Sequence, residues 1–384
     1  MGTMHSFAIV ALAAALLPSA AASVDGAPAP LGGEQLARTG VVVADPAPGT
    51  PAPPPADATA YLLADADSGD VLAGLDAHVP RPPASLVKLL TALALLPDLD
   101  PGQTHVATDQ DASIEGSRVG LSPGQAYTVE QITYGLMLAS GNDAAHALAE
   151  VAGGQQQAIE AMNAEAERLG AWRTRALTPH GLDEPGQVST PYDLALLARA
   201  ALADERVAGP ARTATYDFPG GDGGPYQIQN QNRLLGYYPG TVGLKTGFTS
   251  RAGHTLTAAA EREGRLLIAV VLGAEGRAED AAAVLLDWGF TAGAAARPVG
   301  RLLTPDQVAE ERLARERAAQ DGQAGAQVAA AGLEDGLALD DVLTATRTMG
   351  PRWWVVLGSV VLLSTLLWLR RGRGPGGAGR YAGR

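Results

Sequence analysis

Apolar and polar positions alternate with two different periods along the chain. TAYLLADADSGDVLAGLDA, residues 59–77, holds two short apolar runs around Asp67–Ser68–Gly69 and predicts a β-hairpin. Ser85 to Leu96 has helical spacing and stops at Pro97. Residues 129–152, VEQITYGLMLASGNDAAHALAEVA, continue a helical period but break at Ser140–Gly141–Asn142. Residues 155–169 and 191–203 predict further helices. From Val242 the pattern changes: GLKTGFT and HTLTAAAEREGRLLIAVVLG read as three strands, the last two joined at Glu263–Gly264, and Ala278 to Trp288 closes as a helix. Strands early and late with helices between predict an α+β domain over 58–293. Its expected architecture is one antiparallel β-sheet flanked by helices, built from both ends of the domain, with an inserted α-helical subdomain.

The flanks differ in composition. Residues 24–57 are rich in proline and alanine and predict an extended linker. Residues 294–352 are rich in Ala, Glu, Gln and Arg and predict a helical or disordered stalk, with LTPDQVAEERLARERAAQ as an exposed helix. Residues 353–369, WWVVLGSVVLLSTLLWL, carry no charge and as a helix would span about 25 Å, with tryptophans at both edges. They predict a C-terminal transmembrane helix, followed by a basic cytoplasmic tail, 370–384, with five arginines and no acid. Residues 1–23 pair an apolar run, Phe7–Leu17, with small residues at Ala20–Ala22 and predict a signal peptide, although the first residues lack lysine and arginine. Together these segments predict a single-pass protein of the cell membrane with its folded domain on the extracytoplasmic side.

Net charge is −13, which argues against a nucleic-acid partner. The chain has no cysteine, so disulfides, thiolate metal sites and cysteine nucleophiles are excluded. Its six histidines show no metal-ligand spacing, so neither metal nor cofactor is expected. Of the 28 Lys and Arg residues only two, Lys88 and Lys245, are lysine. Lysine, unlike arginine, can lose its proton inside a protein. Lys88 lies one helical turn after Ser85, on the same face, where a neutral amine could take the proton of the serine hydroxyl. By itself the S-x-x-K spacing is far commoner as a capping serine and a surface lysine. Two further stretches change that: LASGNDAA, with Ser140 and Asn142, and TVGLKTGFTS, with Lys245, Thr246 and Gly247. The order S-x-x-K, S-x-N, K-T-G, on a helix start, a helix break and a strand, is that of penicillin-binding proteins and serine β-lactamases.

The sequence resembles the D-alanyl-D-alanine carboxypeptidases, the low-molecular-mass penicillin-binding proteins, over about 58–290. The three motifs carry the resemblance, together with AMNAEAERLG, TPHGLDEPGQVSTPYDLALLA and NQNRLL in family order. It implies that Ser85 attacks the carbonyl between two terminal D-alanines of a peptidoglycan stem peptide and that Lys88 accepts its proton. Ser140, held by Asn142, would pass a proton to the leaving amine. Lys245 and Thr246 would engage the substrate's terminal carboxylate, with Lys245 charged and lowering the pKa of Lys88. Gly247 would let the substrate approach the strand, and the backbone N–H groups of Ser85 and Phe248 would form the oxyanion hole. It further implies β-lactam antibiotics as covalent inhibitors and a role in cell-wall organisation and cell shape, without metal. Residues 294–350 do not resemble the β-rich second domain of many relatives, and Leu86 and Val87 replace polar residues often found between Ser and Lys. A β-lactamase is the nearest alternative, but S-G-N stands where class A enzymes have S-D-N and no E-x-x-L-N segment is present. A non-catalytic binder of wall peptides is the other; it would have no need of a serine–lysine pair.

Overall fold

The structure, a computed structural model, describes residues 30–43, 52–53, 55–221, 224–291 and 297–334. In chain order the elements are β1 (Val41–Val43), β2 (Ala60–Asp65), β3 (Asp70–Leu75), α1 (Val87–Leu95), β4 (Thr104–Val106), α2 (Asp109–Ser113) and β5 (Ala126–Thr128). There follow α3 (Val129–Met137), α4 (Asn142–Val151), α5 (Gln155–Leu169), α6 (Pro191–Ala203), α7 (Glu205–Arg212), β6 (Thr215–Phe218), β7 (Tyr226–Gln229) and α8 (Leu234–Tyr237). The chain then forms β8 (Thr241–Thr249), β9 (Gly253–Arg262), β10 (Arg265–Ala274), α9 (Ala278–Phe290), β11 (Gly300–Arg301) and α10 (Pro305–Glu334).

The main sheet runs β1-β3-β2-β10-β9-β8, and every neighbouring pair is antiparallel. Both ends of the domain thus build one sheet, and α1–α7 with two small two-stranded sheets form the lobe between them, as the pattern predicts. Both faces of the central strands are covered, which is why they read as continuous apolar runs. Leu62, Ile268 and Val270 pack in one core with Leu86, Leu89 and Leu90 of the lobe. Tyr61, Leu63, Leu267 and Val271 pack in a second core with Leu285, Leu286 and Trp288 of α9. Each such fully buried aliphatic side chain contributes roughly 1.5–3 kcal/mol, so the sheet is a firm base for whatever β8 carries.

The domain is wider than the composition predicts. Leu31 and Leu36, expected in an extended linker, are buried in the core, and β1 pairs with β3. From the C-terminal flank β11, expected in the stalk, pairs with the rest of the same edge of β3, at Asp70–Val71, while Val299, Leu302 and Val308 are buried. A few apolar residues in each flank suffice to cover that edge. Among the described residues no helix is long and apolar enough to cross a membrane. The segments predicted as signal peptide, transmembrane helix and tail, 1–23, 353–369 and 370–384, lie outside the described residues.

Candidate active site

The chain enters α1 through a 3-10 turn, Ala84–Leu86, that holds Ser85 at the positive end of the helix. Leu86 and Val87 are buried, so the apolar pair between Ser85 and Lys88 anchors the turn in the core. Lys88 is fully buried and its Nζ meets three groups: Ser85 Oγ at 3.0 Å, Asn142 Oδ1 at 2.7 Å and the His180 carbonyl at 2.5 Å. A neutral amine has two N–H donors and one lone pair. Asn142 and His180 take the two donors, which leaves the lone pair for the Ser85 hydroxyl. Burial holds the Lys88 pKa well below its ordinary value; the nearby charge of Lys245 lowers it further, and Asp143 opposes.

The S-G-N motif fills the junction of α3 and α4. Ser140 has a left-handed backbone, φ 58°, and Asn142 is the first residue of α4. Five hydrogen bonds hold that junction against loop 115–121. Asn142 Nδ2 donates to the Glu115 carbonyl at 2.6 Å, and the Asn142 amide donates to the Ser117 carbonyl at 2.7 Å. The Asp143 carboxylate accepts from the amides of Val119, Gly120 and Leu121. Asn142 is thus fixed at both ends of its amide, and cannot turn from Lys88 without breaking the second bond.

K-T-G lies on β8. A register shift between Thr241 and Gly243, with positive φ at Gly243 and Leu244, precedes Lys245. Such irregularities re-aim side chains near active sites. Lys245 is 1% exposed, and its Nζ donates to the Thr246 carbonyl at 3.0 Å. A Cβ at Gly247 would lie 2.8 Å from the Ser85 amide nitrogen and 2.6 Å from Thr255 Oγ1, so only glycine allows this approach of strand and nucleophile. Burial pulls the Lys245 pKa down to about 7. A carboxylate bound beside it would favour the ammonium.

Ser85, Ser140, Thr246, Gly247 and Phe248 line one groove of about 570 Å³. All motifs predicted from sequence converge here: Ser85, Lys88 and Asn142 by hydrogen bonds, Lys245 by its charge on Lys88, the others along the groove wall. The Ser85 amide faces the strand at Gly247, the residue before Phe248, whose ring packs on His254 with centroids 4.7 Å apart. Sequence reasoning missed the His180 carbonyl, because a backbone acceptor has no residue signature. It also missed the far walls, which include Ser117, Gln231, Arg233, Arg277 and Glu279. Burial pushes the His180 ring down to about 4, with Lys88 and His146 adding to the effect, so it is neutral near pH 7. Among the described residues no cluster of His, Asp or Glu could hold a metal ion.

Comparison with known proteins agrees with this geometry. A sequence model of the D-alanyl-D-alanine carboxypeptidase family matches residues 47–276. D-alanyl-D-alanine carboxypeptidase DacB2 of Mycobacterium tuberculosis is 46% identical over 244 residues, covering 62% of this chain and 84% of the relative. DacF of Bacillus subtilis is 35% identical over 245 residues; the chain covers only 62% of its length, with 61% of its own. The crystal structure of a D-alanyl-D-alanine carboxypeptidase from M. tuberculosis superposes with a TM-score of 0.63 at 41% identity, covering 68% of this chain and 99% of that one.

Proposed function

As a member of the D-alanyl-D-alanine carboxypeptidase family this chain is a serine-type D-Ala-D-Ala carboxypeptidase, and we propose the following division of labour in its groove. The stem peptide lies along β8 with its terminal carboxylate at Lys245 and Thr246. Ser85 Oγ attacks the carbonyl between the two D-alanines while its proton passes to Lys88. The oxyanion is held by the amides of Ser85 and Phe248. The proton reaches the leaving amine through Ser140, the C–N bond breaks, and the last D-alanine departs. Water then attacks the acyl-enzyme, Lys88 again taking the proton, and the shortened peptide leaves.

The observation that carries this reading is the Lys88 environment: a buried amine whose two donors are occupied, 3.0 Å from Ser85 Oγ. A binding module has no use for it. Among the described residues no carboxylate hydrogen-bonds to Ser85 or Lys88, which favours a slow-turnover peptidase over a β-lactamase with a deacylating glutamate. Glu165 is engaged by Arg168 on α5. The test is intact-protein mass spectrometry with penicillin. A lasting adduct is expected on the wild type and none on Ser85→Ala. Acylation of the alanine variant would remove Ser85 as nucleophile, and rapid penicillin hydrolysis without a lasting adduct would favour a β-lactamase.

The reading extends to an exported, membrane-tethered enzyme acting on wall peptides, supported by the apolar segments 1–23 and 353–369. Truncation before Trp353 should move the protein from the membrane to the soluble fraction; unchanged fractionation would count against the tether.

A further inference from the structure

The His180 carbonyl reaches Lys88 from a loop that carries none of the three motifs. Residues 177–187 read LTPHGLDEPGQ, and the pairing of Arg175 with Val188 closes the base of the loop. The His180 carbonyl accepts from Lys88 Nζ at 2.5 Å, and the Pro179 carbonyl accepts from Thr91 Oγ1 at 2.7 Å, about one turn further along α1. Gly181, at φ 88°, lies against the turn that bears the nucleophile, where a Cβ would collide with the Ala84 carbonyl. Whatever fixes the backbone of this loop therefore fixes one of the two acceptors of the base.

A side chain inside the loop supplies that restraint. Gln187 is 4% exposed, uncommon for a glutamine, and both ends of its amide are used. Its Oε1 accepts from the Leu177 amide at 3.0 Å, the Thr178 amide at 2.9 Å and the Thr178 hydroxyl at 3.2 Å. Its Nε2 donates to the Leu182 carbonyl at 2.7 Å. Gln187 thus ties the residues before His180 to the residue after Gly181. Thr178 completes the link: with its proton given to Gln187, its oxygen accepts from the Gly181 amide at 3.1 Å. That N–H and the His180 carbonyl belong to one planar trans peptide unit and point in opposite directions. Holding the N–H on Thr178 therefore aims the carbonyl at Lys88. Neither Gln187 nor Thr178 lines the groove.

We propose that Gln187 and Thr178 are positioning residues for the base: they lock the 180–181 peptide unit so that its carbonyl takes one N–H of Lys88 and the lone pair of the amine stays turned to Ser85. The inference rests on the reading of Lys88 as the base. A carbonyl oxygen binds an ammonium more strongly than a neutral amine. The contact therefore opposes the effect of burial on Lys88, and its loss lowers the Lys88 pKa further.

The test uses the full chain and two variants. Gln187→Met keeps the length of the side chain and removes every hydrogen bond of the amide. Thr178→Val keeps the branched shape and removes the acceptor of the Gly181 N–H. Both retain the Arg175–Val188 pairing and the Thr91 contact, and thermal unfolding gives the folded fraction. Penicillin acylation is followed by intact mass as a function of penicillin concentration and pH. Each variant is expected to lose at least about tenfold in limiting rate at an unchanged half-saturating concentration. The acidic midpoint of the rate profile should move down by about half a unit. Residues that merely stabilise the loop would lower the unfolding temperature but leave the rate and midpoint of the folded protein at wild-type values, and that result would overturn the proposal. So would a slower rate with an unmoved midpoint, or a loss carried wholly by weaker penicillin binding. Thr178→Val alone decides should Gln187→Met fail to fold. Lys88→Arg, assayed alongside, separates the two readings: near-normal acylation of that variant would overturn Lys88 as the base, and the positioning with it.

Discussion

Replacing Lys88 by arginine separates positive charge from basicity at a single position. The amine is fully buried and 3.0 Å from Ser85 Oγ, with its other hydrogen bonds made to Asn142 and His180. A guanidinium cannot give up its proton in a protein, so it cannot receive that of Ser85. General-base catalysis contributes about 10²–10⁴ in rate, or about 3–5 kcal/mol of barrier at about 1.36 kcal/mol per tenfold. The larger group also overpacks the site, which costs about 1–3 kcal/mol of stability. Lys88→Met controls for this: it is unbranched and neutral, and removes the base without adding a charge. It leaves Asn142 Oδ1 and the His180 carbonyl without their donor, each at about 1–3 kcal/mol, so folding is checked by thermal unfolding. The assay is the pseudo-first-order rate of penicillin acylation, followed by intact mass and normalised to folded protein. Both variants should fall by at least about a hundredfold. A Lys88→Arg protein that acylates within about tenfold of wild type would refute Lys88 as the base.

Three other outcomes follow from the same geometry. Asn142→Asp places a carboxylate at the atom now 2.7 Å from Lys88 Nζ; it favours the ammonium, raises the Lys88 pKa, and should move the midpoint of the acylation pH profile upward by about one unit or more, so an unmoved midpoint speaks against coupling. Gly247→Ala should fold, yet lose acylation by at least about a hundredfold through the clash with Ser85 N and Thr255; near-normal acylation would show that β8 can retreat. Lys245, lowered by burial to about 7, loses its charge as pH rises through that value in the free enzyme. Affinity for a peptide with a free terminal carboxylate should therefore fall above about pH 7 while that of the corresponding D-alaninamide peptide stays flat, and parallel pH profiles would contradict carboxylate binding by Lys245.

The family and the sheet were legible in the order of the residues, and so were the motif residues that the structure brings to one groove. General-base chemistry requires particular side chains at fixed spacing from a helix start, a helix break and a strand, and periodicity located those three contexts. The predicted helices 155–169 and 191–203 match α5 and α6, and the strands after Val242 match β8, β9 and β10. The short elements β4, α2, β6, β7 and α8 were not legible, since three to five residues carry too little period to read. Nor was the docking of Leu31 and Leu36, because a proline- and alanine-rich flank reads as linker until a partner surface exists to bury its few apolar residues.

What the sequence determined by itself was the inventory: a serine, two lysines, a second serine with its asparagine, and a glycine where a strand must be bare. Lysine rather than arginine at position 88 allowed a base. Only the tertiary structure decided what surrounds that amine. It brings a backbone carbonyl 92 residues away, from His180, to meet Lys88 alongside Asn142, so that the remaining lone pair faces Ser85. It also decided the direction of the Lys245 pKa shift, because burial is a property of packing and not of residue type. A chain can specify which groups take part, but the dielectric around them and their hydrogen-bond partners exist only once the sheet and the helical lobe close on each other.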